Sequence, residues 1–238
     1  MVTQLSHKFR DSDFNESHQE VIETRSGTVV LDARKVAFLP STQTLLVADM
    51  HFEKGSYLRQ YGRSVLPAYD TQDTIERLCE IAKDYAPKRI IALGDSFHDI
   101  AVNKRLSSQS SEQLNRLCNT ETDMIWVLGN HDPDIPEKVK GAREDHFQTG
   151  EFLLTHHPHD TEGGLNICGH YHPKAKVSSK AGSVSAPCFA ISETRIIMPS
   201  FGTYTGGLWV TDPAFKDAMP DLNMVAMTYM NRVFKITV

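Results

Sequence analysis

Thr44-Leu45-Leu46-Val47-Ala48-Asp49-Met50-His51 is the stretch on which the reading of this chain turns. Its apolar run is continuous rather than alternating, which marks a strand covered on both faces. The run stops abruptly at a carboxylate, with an imidazole close behind it. The same arrangement recurs downstream. Arg89-Ile90-Ile91-Ala92-Leu93 leads to Gly94-Asp95, Met124 to Leu128 leads to Gly129-Asn130, Phe152 to Thr155 leads to His156, and Leu165 to Cys168 leads to Gly169-His170. Five apolar strands that each end in a polar, metal-competent group point to an α/β sheet, in which ligands gather beyond the carboxyl ends of the strands.

Upstream of this frame, Thr28 to Leu31 and Val36 to Leu39 read as strands of an opening hairpin. Between the first two strands of the series, Ile75, Leu78, Cys79, Ala82 and Tyr85 fall at i, i+3, i+4, i+7 and i+10. That spacing predicts a helix, capped by Asp70 and stopped before Pro87. Strand, helix, strand implies a crossover connection. A second, weaker helix is expected within Ser107 to Asn119, with Leu114, Leu117 and Cys118 inward. Beyond residue 186, short strands at Phe189 to Ser192, Arg195 to Met198, Leu208 to Thr211 and Arg232 to Val238 complete a second sheet.

With 238 residues and 40% apolar content, the chain can bury a full core as one domain, expected over residues 21–238 behind a flexible polar tail at 1–20. The balance of 25 basic to 30 acidic residues gives a net charge of −5, so no whole-surface field draws in an anion and any attraction must be local. Cys79, Cys118, Cys168 and Cys188 form no CxxC pair and read as reduced, mostly buried thiols. The opening stretch has no apolar core of a signal sequence, and no run approaches the roughly 18 apolar residues of a membrane span. A cytoplasmic protein without a membrane partner is expected.

Eleven histidines, seven of them between residues 131 and 172, exceed what core packing usually explains. Oxygen and imidazole donors together suit manganese, iron, zinc or cobalt, whereas an all-oxygen cage would suit magnesium or calcium. His157, beside His156, could take its place as ligand. His159 reads as an exposed loop residue, His146 has no ligand role, and His98 lies in a loop close enough to touch substrate. Lys54, Arg59 and Arg63 either grip flanking phosphates or form a solvated basic loop. Phe201 to Gly207 either lines the cleft or is a simple Gly-rich turn. Trp126, among apolar neighbours, reads as core. Neither a Gly-x-Ser-x-Gly nucleophile turn nor a phosphate-binding Gly-rich loop ending in Gly-Lys-Ser/Thr is present.

Taken in order, Asp49-x-His51, Gly94-Asp95, Gly129-Asn130-His131-Asp132, the strand-end His156 and Gly169-His170-x-His172 resemble the calcineurin-like metallophosphoesterase superfamily. The resemblance implies an α/β fold of two stacked mixed β-sheets flanked by helices. It also implies that Asp49, His51 and His172 hold one metal ion, that Asn130, His156 and His170 hold a second, and that Asp95 bridges both. Hydrolysis would then proceed through a hydroxide shared by two divalent first-row ions, in line with the departing oxygen and without a covalent enzyme intermediate. His131 corresponds to the acid that protonates the leaving group, with Asp99 as the partner that orients it. One departure is visible: many members carry Gly-Asp-x-x-Asp, and here the second acid falls one place later, at Asp99.

A closer resemblance, to the PdeM-type ligase-associated phosphoesterases of the DNA damage response, is carried by Leu46 to Gly55, Leu66 to Thr71, Leu93 to Asp99 and Pro199 to Gly202. It implies manganese-dependent cleavage of a phosphodiester substrate or DNA, with a DNA ligase and a helicase as functional neighbours. The residues themselves show no nucleic-acid stripe. The alternative on the same chemistry is a small-nucleotide phosphatase or phosphodiesterase. A non-catalytic scaffold is disfavoured because all seven ligand positions and His131 are filled.

Overall fold

The computed structural model describes residues 18–62, 69–132, 134–179 and 182–238. The chain enters as an antiparallel meander of β1 (Gln19–Thr24), β2 (Gly27–Asp32), β3 (Val36–Leu39) and β4 (Thr44–Val47). It then turns parallel through β5 (Arg89–Leu93), β6 (Asp123–Val127) and β7 (Ala142–Glu144). Parallel neighbours need long crossovers. Those are supplied by α1 (Lys54–Gln60) and α2 (Asp70–Tyr85) after β4 and by α3 (Ser108–Leu117) after β5. These seven strands form one sheet in sequence order.

A second sheet takes β8 (Phe147–Thr149), β9 (Phe152–Thr155), β10 (Leu165–Cys168), β11 (Pro173–Ser179), β12 (Gly182–Ile191) and β13 (Arg195–Ile197). It is completed by β14 (Leu208–Trp209), β15 (Met224–Tyr229) and β16 (Arg232–Thr237). Within it β9, β10 and β13 run parallel. The short α4 (Pro213–Ala218) covers its outer face.

Strand periodicity explains the layering, because successive side chains point to opposite faces. Leu46, Ile91, Leu93 and Val127 point inward and meet Leu154, Leu165, Ile167 and Ile196 of the other sheet. Their neighbours Leu45, Val47, Ile90, Ala92 and Trp126 point outward onto Ile75, Leu78 and Ile81 of α2 and Leu114 and Leu117 of α3. Cys168, Cys188, Ile197 and Met227 meet Phe215 on the far side. The result is helix, sheet, sheet, helix, the expected α/β architecture with two mixed sheets. Trp126 is fully buried. Cys168 and Cys188 are buried, whereas Cys79 and Cys118 are half-buried, and all four are free thiols.

Several elements differ from expectation. The tail expected over 1–20 lies outside the described residues up to position 17, and Gln19 and Glu20 begin β1. Asp70 does not cap α2: Tyr69 is the N-cap and makes no side-chain capping bond. The Asp70 carboxylate instead accepts the Gly55 N–H at 2.9 Å, tying α2 to α1. The strand expected over 208–211 shortens to Leu208–Trp209. Among the described residues, no helix is long and apolar enough to cross a membrane.

A buried carboxylate fixes the far end of α2. Asp32, fully buried, accepts from Arg34 Nε at 3.0 Å, Arg34 Nη2 at 2.7 Å and the Tyr85 hydroxyl at 2.8 Å. Burial pushes its carboxyl up, but the bonds from Arg34 and Tyr85 outweigh burial and hold it below the usual range. A depressed carboxylate contributes stability above its unfolded pKa and loses it as pH falls through the folded value. Asp32→Asn is therefore expected to cost about 1–3 kcal/mol at neutral pH. Urea midpoints measured from pH 7 down to pH 3 should fall less steeply in the variant than in the native chain below about pH 4.

Candidate metal centre

The carboxyl ends of the parallel strands from both sheets come to one edge. In the first sheet Val47 is paired with Ala92 and Leu93 with Val127, which aligns the loops carrying Asp49, Asp95 and Asn130. In the second, Thr155 is paired with Cys168 and Cys168 with Ile197, which aligns the loops carrying His156, His170 and Phe201. Backbone bonds then join loop to loop. His51 N–H donates to the Asp95 carbonyl at 2.9 Å, Gly169 N–H to the His156 carbonyl at 3.1 Å, and Phe201 N–H to the Ala48 carbonyl at 2.8 Å across the two sheets.

Three overlapping donor groups result, one of them His156, His157 and His170. One nitrogen or oxygen from each of Asp49, His51 and His172 lies within 4.8 Å of the others, and the same holds for Asp49, Asp95 and His156. His156 Nε2 lies 3.0 Å from Asn130 Oδ1, 3.1 Å from His170 Nδ1 and 3.4 Å from Asp95 Oδ1. The other Asp95 oxygen, Oδ2, faces His51 Nε2 at 3.9 Å and His131 Nε2 at 4.0 Å. Asp95 thus turns one oxygen toward His156 and the other toward His51 and His131. The structure brings Asp49, His51, Asp95, Asn130, His131, His156, His170 and His172 together.

The donors are prepared for a cation. His156 donates Nδ1–H to the Leu93 carbonyl at 3.0 Å, and His172 donates Nδ1–H to the Gly206 carbonyl at 3.1 Å, which turns Nε2 of each ring toward the buried carboxylates. Nε2 of His51 and of His172 is buried without a hydrogen bond, although Asp49 Oδ1 is 3.2 Å from the latter. Lone pairs facing carboxylate and amide oxygens repel unless a positive charge sits among them. Asp49 and Asp95 are also buried, and among the described residues their ion-pair partners are all imidazoles. Burying each such charge without compensation costs on the order of several kcal/mol. A divalent ion fits all of these observations.

Electrostatics keep two of the rings in the ligating form. Burial, followed by the neighbouring rings, pushes His51 far below the usual histidine range and brings His170 down to about 4. At His172 burial also acts downward, but the Asp49 carboxylate outweighs it and the ring is raised.

Five of the gathered residues, Asp49, His51, Asp95, His170 and His172, have left-handed backbones with φ between 46° and 72°. Each such non-glycine residue costs on the order of 1–3 kcal/mol, and strain of this kind collects at functional sites. Gly94 shares the conformation with φ of 75°, and a Cβ there would lie 2.3 Å from His156 Nδ1. Gly94→Ala should therefore lose about 2–6 kcal/mol, from strain plus overpacking. Thermal melting checks this, and a variant as stable as the native chain would show that the His156 ring is not fixed at this point.

Other expectations land elsewhere. Asp99 does not reach His131: its oxygens accept from Ala101 N–H and from Arg105. The partner of His131 Nδ1 is the backbone carbonyl of His98, at 3.2 Å. Lys54 and Arg59 lie on α1 rather than in a loop, and Arg63 lies outside the described residues. Phe201 is fully buried in the core beside α2, and its loop supplies Gly206 to His172. Asp132 has a part not anticipated. Its Oδ2 accepts Ser96 N–H at 2.7 Å and Phe97 N–H at 3.0 Å, and its Oδ1 accepts Gly129 N–H at 3.1 Å, locking the loop after β5 to the loop after β6. Burial, with the nearby Asp95 charge adding to it, pushes the Asp132 carboxyl up to about 7 against those bonds. The signal was present in Gly129-Asn130-His131-Asp132, but no spacing rule distinguishes a ligand from a loop clamp.

Residues 42–194, which contain every gathered side chain, match the family model described as calcineurin-like phosphoesterase. The crystal structure of Pseudomonas putida nuclease MPE resembles the chain with a TM-score of 0.69 at 24% identity, covering 92% of this chain and 100% of that one. The phosphoesterase YfcE from E. coli matches at a TM-score of 0.41 and 13% identity, over 82% of this chain and 98% of that one. No curated protein matches the chain.

Proposed function

Because the chain belongs to the calcineurin-like phosphoesterase family, and is by that membership a metal-dependent phosphoesterase, we propose that it hydrolyses phosphodiester bonds at a centre of two divalent first-row ions, with DNA as substrate. The observation that carries this reading is the two-sided Asp95 carboxylate, with Oδ1 toward His156 and Oδ2 toward His51. Asp49, His51 and His172 would hold one ion and Asn130, His156 and His170 the other, with Asp95 shared. Such ions, when bound, supply Lewis acidity and a nucleophile made from water at neutral pH.

The protein's own groups do the rest. Asp132 and the cross-sheet backbone bonds hold the donor loops in register. His131 is half exposed at the mouth and presents Nε2 toward the centre. In its protonated form Nδ1–H stays with the His98 carbonyl, and Nε2–H passes to the departing oxygen.

The DNA reading draws support from α1. The Tyr57 ring lies 4.7 Å from His98, Tyr61 lies 4.9 Å from Tyr57, and Tyr61 is 59% exposed. A row of rings running outward from the centre, with Lys54 and Arg59 on the same short helix, offers stacking faces to flanking bases and cations to flanking phosphates. A mononucleotide has no flanking base to use them. Manganese as the native ion, action in the cytoplasm, and association with a DNA ligase and a helicase belong to the same proposal.

Purified protein should hydrolyse a generic aryl phosphodiester on addition of manganese and lose that activity to a chelator. Nicked, single-stranded and plasmid DNA compared with mononucleotides test the substrate. Preference for mononucleotides would replace DNA with the small-nucleotide reading, and inertness with every first-row metal would overturn both.

A further inference from the structure

One imidazole beside the centre is used by neither of the two proposed ligand sets. His157 directly follows His156, and in a continuing strand its side chain would face away. The chain does not continue as a strand: β9 ends at Thr155, whose hydroxyl donates to the His157 carbonyl at 2.6 Å. Both rings consequently lie on the same side. The His157 ring centre is 4.7 Å from that of His156 and 4.1 Å from that of His170. One nitrogen from each of the three rings lies within 4.8 Å of the other two, so a small inward turn of the rings brings all three onto a single ion.

We propose that His157 is a third imidazole ligand of the second ion, so that the two metal positions differ in chemistry. This rests on the two-ion reading above. The position of His156, His157 and His170 is nitrogen-rich, with oxygen only from Asn130 and a share of Asp95. The position of Asp49, His51 and His172 has a carboxylate of its own. Imidazole donors suit zinc, iron and copper, whereas carboxylates suit manganese and magnesium. The second position is the zinc-preferring one, and His157, the exposed member of its three rings, closes it from the solvent side.

Metal-free full-length protein, native and His157→Ala, is titrated calorimetrically with Zn²⁺ and separately with Mn²⁺, and melting of the metal-free forms is compared. Because His157 is exposed, equal melting temperatures are expected. The variant should still take up two ions, with the tighter Zn²⁺ affinity reduced roughly tenfold or more and Mn²⁺ binding at the first position unchanged. Two ions bound with unaltered affinities would overturn the proposal. A native chain that binds a single ion would overturn the two-ion reading along with it, so the two failures are distinguishable.

Discussion

Asp95→Asn should lower turnover of an aryl phosphodiester by roughly 10³-fold or more and leave fewer than two metal ions per chain. The substitution keeps the shape of the side chain and an oxygen able to accept the His131 N–H, now bonded at 2.9 Å, so the loop has no reason to collapse. What it removes is the negative charge shared between the two proposed ligand sets. Deleting one stabilising dipole at an active site commonly costs about 10²–10³ in rate. Losing the shared charge also loosens the ions, so a larger effect is expected. Metal analysis of the purified variant beside its kinetics checks both parts. Full metal occupancy with a small loss of rate would mean that Asp95 is not shared.

The second large effect separates proton transfer from metal binding. His131→Ala should retain both ions and still lose roughly 10²–10⁴ in turnover, the usual scale for general acid catalysis. The His131 ring is half exposed, and only its backbone N–H is bonded to Asp95, so truncation leaves the donor groups intact. The loss should also depend on the leaving group. A nitrophenolate departs without much help, whereas a deoxyribose oxygen needs a proton, so the deficit should be larger on DNA than on the aryl ester. Equal deficits on both, accompanied by metal loss, would make the ring structural.

The metal-competent residues at the strand ends were legible because each follows a mostly apolar run. Such a run must become a strand buried on both faces, and aligned strands bring their ends together whatever their separation in sequence. Asp49 and His170 illustrate this: 121 positions apart, they meet through the His170 N–H on both Asp49 oxygens, at 3.1 and 3.0 Å. Groups that act through the backbone were not legible. The carbonyl of His98 orients His131, and that of Gly206 fixes His172, and a carbonyl leaves no mark in the choice of residue. Asp99, which the family resemblance implies as the partner of His131, has both of its oxygens taken by Arg105 and the Ala101 N–H.

The helices divide the same way. α2 announces itself through its apolar stripe, while α1, Lys-Gly-Ser-Tyr-Leu-Arg-Gln, has none and owes its place to tertiary bonds. One of those bonds is the Asp70 carboxylate on Gly55, which explains why Asp70 is not spent on its own helix end. The left-handed backbones at Asp49, Asp95 and His172 were equally hidden, since local propensity argues against them and only the surrounding bonds enforce them.

The most direct measurement is anomalous X-ray scattering from crystals of the native chain grown with manganese. Two peaks are predicted, one among Asp49, His51 and His172 and one among Asn130, His156 and His170, with Asp95 in contact with both. A lone peak, or two peaks that do not share Asp95, would contradict the account.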